Sequence, residues 1–131
     1  MKNYESIQSL EDAYKATKFD PTIDLFQNPS TDRQIAANSF TNATVLTEAI
    51  NQNDDGSKWI PDFDTYEDKY EIWWRMRSEA AGGPGFSYHD FSCGYSRSCV
   101  GARLVFRSRA RAKYAATTFP HIFKPFMTME K

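Results

Sequence analysis

The fold depends on one stretch, residues 69–77, which reads KYEIWWRMR. Apolar residues occupy every second position in it, and alternate side chains of a β-strand point to opposite faces. The pattern therefore predicts a strand with one buried side. The buried face would carry Tyr70, Ile72, Trp74 and Met76, and the open face would carry Glu71, Trp73, Arg75 and Arg77.

Two later segments are also predicted to be extended, which makes three antiparallel strands the simplest interpretation. Residues 86–91 are rich in aromatic side chains, which favour strands. Residues 80–85 read AAGGPG and predict the loop before them. Residues 100–107 alternate again, with Ala102, Leu104 and Phe106 opposed to Arg103, Val105 and Arg107.

The first half of the chain has helical periodicity instead. Ser9 stands three residues before Asp12, which is the spacing of an N-terminal cap, and a short helix is predicted to run from there to about Thr17. One further turn is predicted after Pro21. A longer amphipathic helix of about 20 residues is predicted from Ser30, and residues 51–57 have the composition of a turn.

A last helix is predicted to begin after Ser108, which is a good N-cap. Pro120 lacks the N–H that would bind the carbonyl of Ala116, so the helix should kink there or restart as a second segment, and a kink is the prediction. The face that packs on the sheet would carry Ala112, Ala115, Ala116, Phe119, Phe123 and Phe126.

Together these elements predict an α+β fold, with N-terminal helices followed by a three-stranded antiparallel sheet packed by a C-terminal helix. The length of 131 residues suits one domain, 1–131. Its core would be aromatic, since Phe, Tyr and Trp make up 15% of the chain. Residues 1–57 would be mainly helical and acidic, and residues 58–131 would form a basic β-β-β-α unit.

Charge is divided unevenly along the chain. Residues 1–69 contain six Lys or Arg and thirteen Asp or Glu, a net charge of −7, whereas residues 70–131 contain ten and four, a net charge of +6. The total of −1 argues against a dedicated nucleic-acid-binding protein. The division favours contact between an acidic and a basic surface.

Four motifs are spread over most of the chain. They are Trp59-Ile60-Pro61-Asp62, Lys69-Tyr70, Val100-Gly101-Ala102-Arg103-Leu104 with Phe106 and Ser108, and Ala112-Lys113-Tyr114-Ala115 with Phe119. These motifs resemble those of uncharacterised small proteins carried by Bacteroidetes bacteria and their phages. This resemblance implies a phage or mobile-element origin and no particular activity. Two features depart from the group: Arg109-Ala110-Arg111 stands where a Glu is usual, and Pro120 interrupts the last helix.

The strongest candidate for a binding site is a set of arginines at the junction between the third predicted strand and the last helix. Arg103 and Arg107 would share one strand face, and Arg109 and Arg111 would lie in the first helical turn. Cations there oppose the helix dipole, whereas a phosphate held by guanidinium groups at a helix N-terminus is favourable. The open sheet face would add Trp73, Arg75 and Arg77, on which a base could stack.

Three interpretations of these arginines stay open. They cover the sheet or pair with acidic groups of the same chain, they bind an acidic protein or a neighbouring subunit, or they bind a nucleotide or nucleic acid. Each assigns the same residues to a different partner.

The remaining patterns do not predict an enzyme. The carboxylates of residues 62–68 lack the spacing of a calcium loop, and neighbouring strand residues such as His89 and Asp90, near Cys93, point to opposite faces. No catalytic residue, metal or cofactor is assigned. Cys93 and Cys99 are interpreted as ordinary thiols, and a disulfide between them stays open.

The sequence therefore predicts a non-enzymatic accessory protein that binds a host protein or an anionic small molecule, such as a nucleotide, through the basic strand–helix junction. One alternative is a virion or assembly component in which the acidic half of one copy contacts the basic half of the next. Another is a single-stranded nucleic-acid-binding module. No membrane helix or secretory signal is predicted, and the expected location is the host cytoplasm or the virion.

Overall fold

The computed structural model describes residues 3–64, 67–75, 87–94 and 101–128, with the backbone alone for Arg75 and residues 87–94. This part of the chain is mostly helical. A 3₁₀ turn at Tyr4–Ser6 precedes the first helix, and another lies at Ala102–Leu104. The regular elements are α1 (Leu10–Thr17), α2 (Pro21–Asp24), α3 (Asp32–Asn51), β1 (Lys69–Arg75), β2 (Ser87–Gly94), α4 (Arg109–Thr118) and α5 (Pro120–Thr128).

The helices begin where side chains can satisfy free backbone N–H groups. The Ser9 hydroxyl accepts a hydrogen bond from the Asp12 N–H at 3.2 Å, and the Ser108 hydroxyl accepts one from the Arg111 N–H at 3.2 Å, as predicted. Helix α3 begins with a reciprocal capping box formed by Thr31 and Gln34. Its 20 residues match the predicted length.

The core surrounds α3 and draws on both halves of the chain. Leu46 and Ile50 of α3 are fully buried, together with Phe106 and with Ala112 and Ala115 of α4. Burying a side chain such as Leu or Phe contributes about 1.5–3 kcal/mol, so these contacts fix α4 against α3. Helix α3 also packs on α1 and on α5.

The predicted three-stranded sheet is wrong. The described strands, β1 and β2, form a two-stranded antiparallel ribbon, with an irregularity between Trp73 and Trp74 at which β2 has one extra residue, His89. The third predicted strand, residues 100–107, contains a 3₁₀ turn, and only Phe106 pairs with β1, through two hydrogen bonds to Tyr70 of 3.0 and 2.8 Å.

The reason lies in residues 101–106. Gly101 has a φ of 109°, which L side chains rarely adopt, and the chain turns there instead of continuing straight. Val105 and Phe106 are both fully buried, although neighbouring residues of a half-buried strand would face opposite ways. Both of these neighbouring side chains lie in the core, so the alternation of residues 100–107 does not identify one buried face of a sheet.

The last helical region divides into two helices instead of kinking. Helix α4 ends at Thr118, Phe119 lies between the helices with φ −124° and ψ 38°, and α5 begins at Pro120. Proline suits the first position of a helix because its missing N–H has no partner there in any case. Five of the six side chains predicted to be buried are buried: Ala112, Ala115, Ala116, Phe119 and Phe123. The sixth, Phe126, is half-buried and packs edge-on against Phe40.

Candidate functional site

The structure brings two of the predicted arginines together at the C-terminal end of α3. The Arg111 Nε donates to the carbonyl of Ile50 at 3.0 Å, and the Arg107 Nη1 donates to the carbonyl of Asn51 at 3.3 Å. A second bond joins the Arg107 Nη1 to the Asn53 Oδ1 at 2.9 Å. The last carbonyls of a helix lack intrahelical partners and carry partial negative charge, so guanidinium groups stabilise that end.

Two aromatic rings and one buried amide hold this arrangement. The Arg107 guanidinium lies 5.9 Å from the ring centre of Trp59, and that of Arg111 lies 5.0 Å from the ring centre of Tyr4. The Asn51 amide donates to the carbonyl of Val105 at 2.8 Å and accepts from the Arg107 N–H at 3.1 Å. Asn51 of α3 thus holds the backbone of Val105 and Arg107, which lead into α4.

The end of α3 places Arg111 partly out of water and near a second cation. Burial lowers the pKa of Arg111 from its ordinary value, and the neighbouring charge of Arg107 lowers it further. The internal partners are backbone carbonyls of a helix end, which the sequence interpretation did not consider.

The other predicted site residues lie elsewhere. Arg103 and Arg109 are exposed, and Trp73 on β1 is 56% exposed, as its place on the open face predicts. Arg109 has an electrostatic or hydrogen-bonding partner, whereas Arg103 forms no ion pair with a carboxylate of the described residues. The Arg75 side chain and Arg77 lie outside the described residues, as does the Cys93–Cys99 pairing.

Arg103 lines a cleft that we call the Trp59 cleft. The cleft has a volume of about 200 Å³ and lies between α3 and the segment before β1. Its wall carries Ile60, which is 74% exposed, beside the half-buried ring of Trp59. At its rim the Lys58 Nζ lies 3.6 Å from the Glu48 Oε1. The lining residues are Thr44, Thr47, Glu48, Asn51, Lys58, Trp59, Ile60, Pro61, Ala102 and Arg103.

The cleft continues into a longer groove over the outward side of α3, which we call the α3 groove. A middle hollow is lined by Asp24, Thr44, Glu48 and Arg103 among others, and an end hollow by residues 17–20, Ile23, Asp24, Val45 and Glu48. Glu48 lines all three hollows. The groove thus runs from α2 and its carboxylates to the Trp59 cleft and its cations.

The acidic loop around residues 62–68 was considered above as a metal site. Two of its carboxylates instead accept hydrogen bonds from backbone N–H groups of the same loop. The Glu67 Oε1 accepts from the Asp62 N–H, and the Asp62 Oδ1 accepts from the Asp64 N–H, both at 2.8 Å. Lys69 is only 3% exposed, with its ammonium group donating to the Glu67 carbonyl and lying 4.9 Å from the ring centre of Phe63. Across the described residues no three His, Cys, Asp or Glu side chains gather as a metal ion would require.

Ile23, Lys58 and Ile60 were not assigned a role from the sequence. Ile60 stands between Trp59 and Pro61, and Ile23 stands between the carboxylates of Asp20 and Asp24. An isolated Ile in such a polar or proline-containing stretch is a signal for an exposed apolar contact. It is a weak signal, because single exposed apolar residues are common on protein surfaces.

Two of the motifs behind the proposed resemblance meet in the Trp59 cleft. Residues 59–61 form one wall, and Ala102 and Arg103 form part of another. The resemblance itself stays a prediction. The chain matches no protein-family model, no curated protein and no solved structure in the three comparisons with known proteins.

Proposed function

We propose that this protein is a non-enzymatic binding protein, of phage or mobile-element origin, that engages a segment of a partner protein in the Trp59 cleft. One observation carries the proposal: an apolar cleft with an exposed Ile60 lies beside an arginine, Arg103, that forms no ion pair with a described carboxylate. The proposed origin depends on the sequence motifs alone.

The Trp59 cleft is small, and the hollows that continue from it form a long groove, which is a shape that suits a protein segment. The volume of the cleft, about 200 Å³, is below the range of about 300–1,000 Å³ usual for small-molecule sites. It can admit one apolar side chain, while the rest of the partner would lie across the α3 groove. Burying an Ile or Leu side chain of the partner there would contribute about 1.5–3 kcal/mol before the costs of association.

The charges at the rim favour a carboxylate next to that apolar side chain. Glu48 is already paired with Lys58, so Arg103 is the cation left to receive an incoming anion. A guanidinium group can donate two parallel hydrogen bonds to the two oxygens of a carboxylate in one plane. Arg107 and Arg111 support the cleft from behind by fixing the end of α3, and their donors are used on its carbonyls.

The proposal is tested by selecting short random peptides on the immobilised protein and measuring their binding by NMR titration. We expect the selected peptides to share one aliphatic residue next to Asp or Glu, because the cleft offers an apolar wall and a free guanidinium group. Ile60→Asp and Arg103→Asp should each weaken binding by about tenfold or more, which corresponds to 1.4 kcal/mol. The matched control is Lys113→Asp, an equal charge reversal at an exposed position of α4.

Two outcomes would contradict the proposal. One is peptides that bind wild type and Ile60→Asp equally well. The other is a nucleotide or oligonucleotide, titrated separately, that perturbs the Trp59 cleft in wild type and loses affinity in Arg103→Asp, since that would make a small anion the ligand. Thermal melting of each variant shows whether it folds, and these exposed substitutions should leave the midpoint unchanged.

A further inference from the structure

The most exposed large apolar side chain among the described residues is Ile23 on α2, at 75%. It is not on a loose segment. The Asp20 carboxylate accepts from both the N–H and the hydroxyl of Thr22, at 2.9 and 2.7 Å, and Pro21 starts the turn. An apolar side chain held out in a fixed position favours contact with a partner.

Helix α2 is also tied to α3 by a pair of hydrogen bonds. The Asn38 amide donates to the Phe26 carbonyl at 3.0 Å, and its oxygen accepts from the Phe26 N–H at 2.9 Å. The Gln27 side chain bonds the carbonyl of Pro21 at 2.9 Å. The position of Ile23 relative to α3 is therefore set before any partner binds, which lowers the entropy lost on binding.

The chemistry of Ile23 matches what the Trp59 cleft requires. Ile23 is an aliphatic side chain with Asp24 directly after it and Asp20 three residues before it. The cleft offers Trp59 and Ile60 for the aliphatic side chain and Arg103 for a carboxylate. Within one chain Asp24 and Arg103 both line the middle hollow of the groove, but no described carboxylate forms an ion pair with Arg103.

We infer that the partner in the α3 groove is a second copy of this chain, which places its Ile23 in the Trp59 cleft and its Asp24 against Arg103. The inference rests on the proposed function, because it names the partner of the same cleft. It also agrees with the uneven charge of the groove, which carries Asp20 and Asp24 in the end hollow and Lys58 and Arg103 in the Trp59 cleft, while Asp24 and Arg103 share the middle hollow. When the grooves of two copies face each other in opposite directions, the acidic end of each groove lies against the basic end of the other.

The placement of the two surfaces determines the symmetry of the contact. Ile23 and the Trp59 cleft both lie along the same side of α3, with Glu48 lining the hollows at each end. When Ile23 of one copy enters the cleft of another, the second copy's Ile23 therefore faces the first copy's cleft. The contact is reciprocal, so it closes a two-fold dimer, whereas surfaces on opposite sides would form rings or filaments.

The test is the self-association of the full chain by sedimentation velocity over a range of concentrations. We expect a monomer–dimer equilibrium in wild type that weakens with salt. Ile23→Asp and Ile60→Asp should each raise the dimer dissociation constant by about a hundredfold, because a reciprocal contact loses two buried Ile side chains at once. Lys113→Asp, on α4, is the control and should leave the equilibrium unchanged.

Two mixtures distinguish this contact from other modes of dimerisation. An equimolar mixture of Ile23→Asp and Ile60→Asp should dimerise better than either variant alone, because one of the two Ile23–cleft contacts is then intact. Arg103→Asp should weaken the dimer, and adding Asp24→Arg in the same chain should restore it. A mixture no better than its components, or a double variant weaker than Arg103→Asp, would overturn the inference.

The outcomes also separate this inference from the proposed function. A wild-type chain that stays monomeric at all concentrations, while selected peptides bind the cleft and lose affinity in Ile60→Asp, overturns the dimer and leaves the proposed function standing. A monomer that also selects no cleft-binding peptide contradicts both. A dimer that is insensitive to both Ile substitutions overturns the inference, since another surface then makes the contact.

Discussion

The two ends of the arginine set differ in what surrounds them, although the side chains are the same. Arg107 and Arg111 meet the last carbonyls of α3 and contribute to the fold. Arg103, a few residues earlier, lies on the surface of the α3 groove and forms no ion pair with a described carboxylate. Arginines that are close in sequence can therefore have different roles. Those that reach the free carbonyls of a helix end stabilise the fold, and those that do not remain on the surface.

The largest expected effect concerns the amide that joins the arginine junction to α3. Asn51→Ala leaves the Val105 carbonyl and the Arg107 N–H without their partner in a buried place, and each unsatisfied group costs about 1–3 kcal/mol. Urea unfolding should show a loss of about 2–4 kcal/mol.

The matched control for this substitution is Asn38→Ala. Asn38 also lies on α3 and also bonds two backbone groups of another segment, but those groups are exposed to water. Its loss should cost under about 1.5 kcal/mol, since water replaces the missing partner. Equal losses for the two variants would contradict the distinction between the buried junction and the open groove.

The next effect compares two arginines directly. Arg111→Met keeps most of the apolar stem and removes the bond to the Ile50 carbonyl, so unfolding should become easier by about 1 kcal/mol. Arg103→Met should change the free energy of unfolding by less than about 0.5 kcal/mol, because its side chain is exposed. A larger loss for Arg103→Met would assign Arg103 a structural role and remove it from the proposed contact.

The smallest effect is a dependence on pH at the acidic end of the groove. Hydrogen bonds from the Thr22 side chain and backbone hold the pKa of Asp20 below its ordinary value of 3.8. A lowered pKa in the folded state gives stability that is present above pH 3.8 and is lost as the pH falls through the folded value.

Amide hydrogen exchange would localise that effect. On acidification below the ordinary pKa of Asp20, protection of the Thr22 amide should fall before that of the Arg107 amide, which is held by Asn51. Asp20→Asn should remove most of this difference between acidic and neutral pH. If the Thr22 and Arg107 amides lost their protection from exchange at the same pH, the turn at α2 and the end of α3 would not open independently.

Much of the helical half could be predicted from local sequence. Ser9 and Ser108 cap helices as predicted, and the 20-residue α3 begins and ends within about two residues of its predicted limits, the usual uncertainty of helix ends. The alternation at residues 69–77 predicts a strand, and its described part, Lys69–Arg75, is one. Trp73 is exposed as predicted, whereas Lys69 in the same alternate set is buried. Caps and periodicity act over a few residues, so a single sequence contains the information needed for them.

The third strand could not be predicted in the same way. Alternation at residues 100–107 resembles a half-buried strand, yet the neighbouring residues Val105 and Phe106 are both buried in the folded core. The different roles of the arginines, two bound to the end of α3 and one exposed, could not be predicted either. Nothing in the order Arg103, Arg107, Arg111 indicates that a helix end more than fifty positions earlier supplies the carbonyls that the last two bind.

The sequence alone determined where the helices start, that α3 is long and that residues 69–75 form a strand, because these depend on neighbouring residues. Only the tertiary structure decided which cations are used internally and which face the solvent, and that Ile23 and the Trp59 cleft share one side of α3. The physical reason is that hydrogen bonds and desolvation depend on distance in space, and distant parts of the chain meet only when the core around α3 forms.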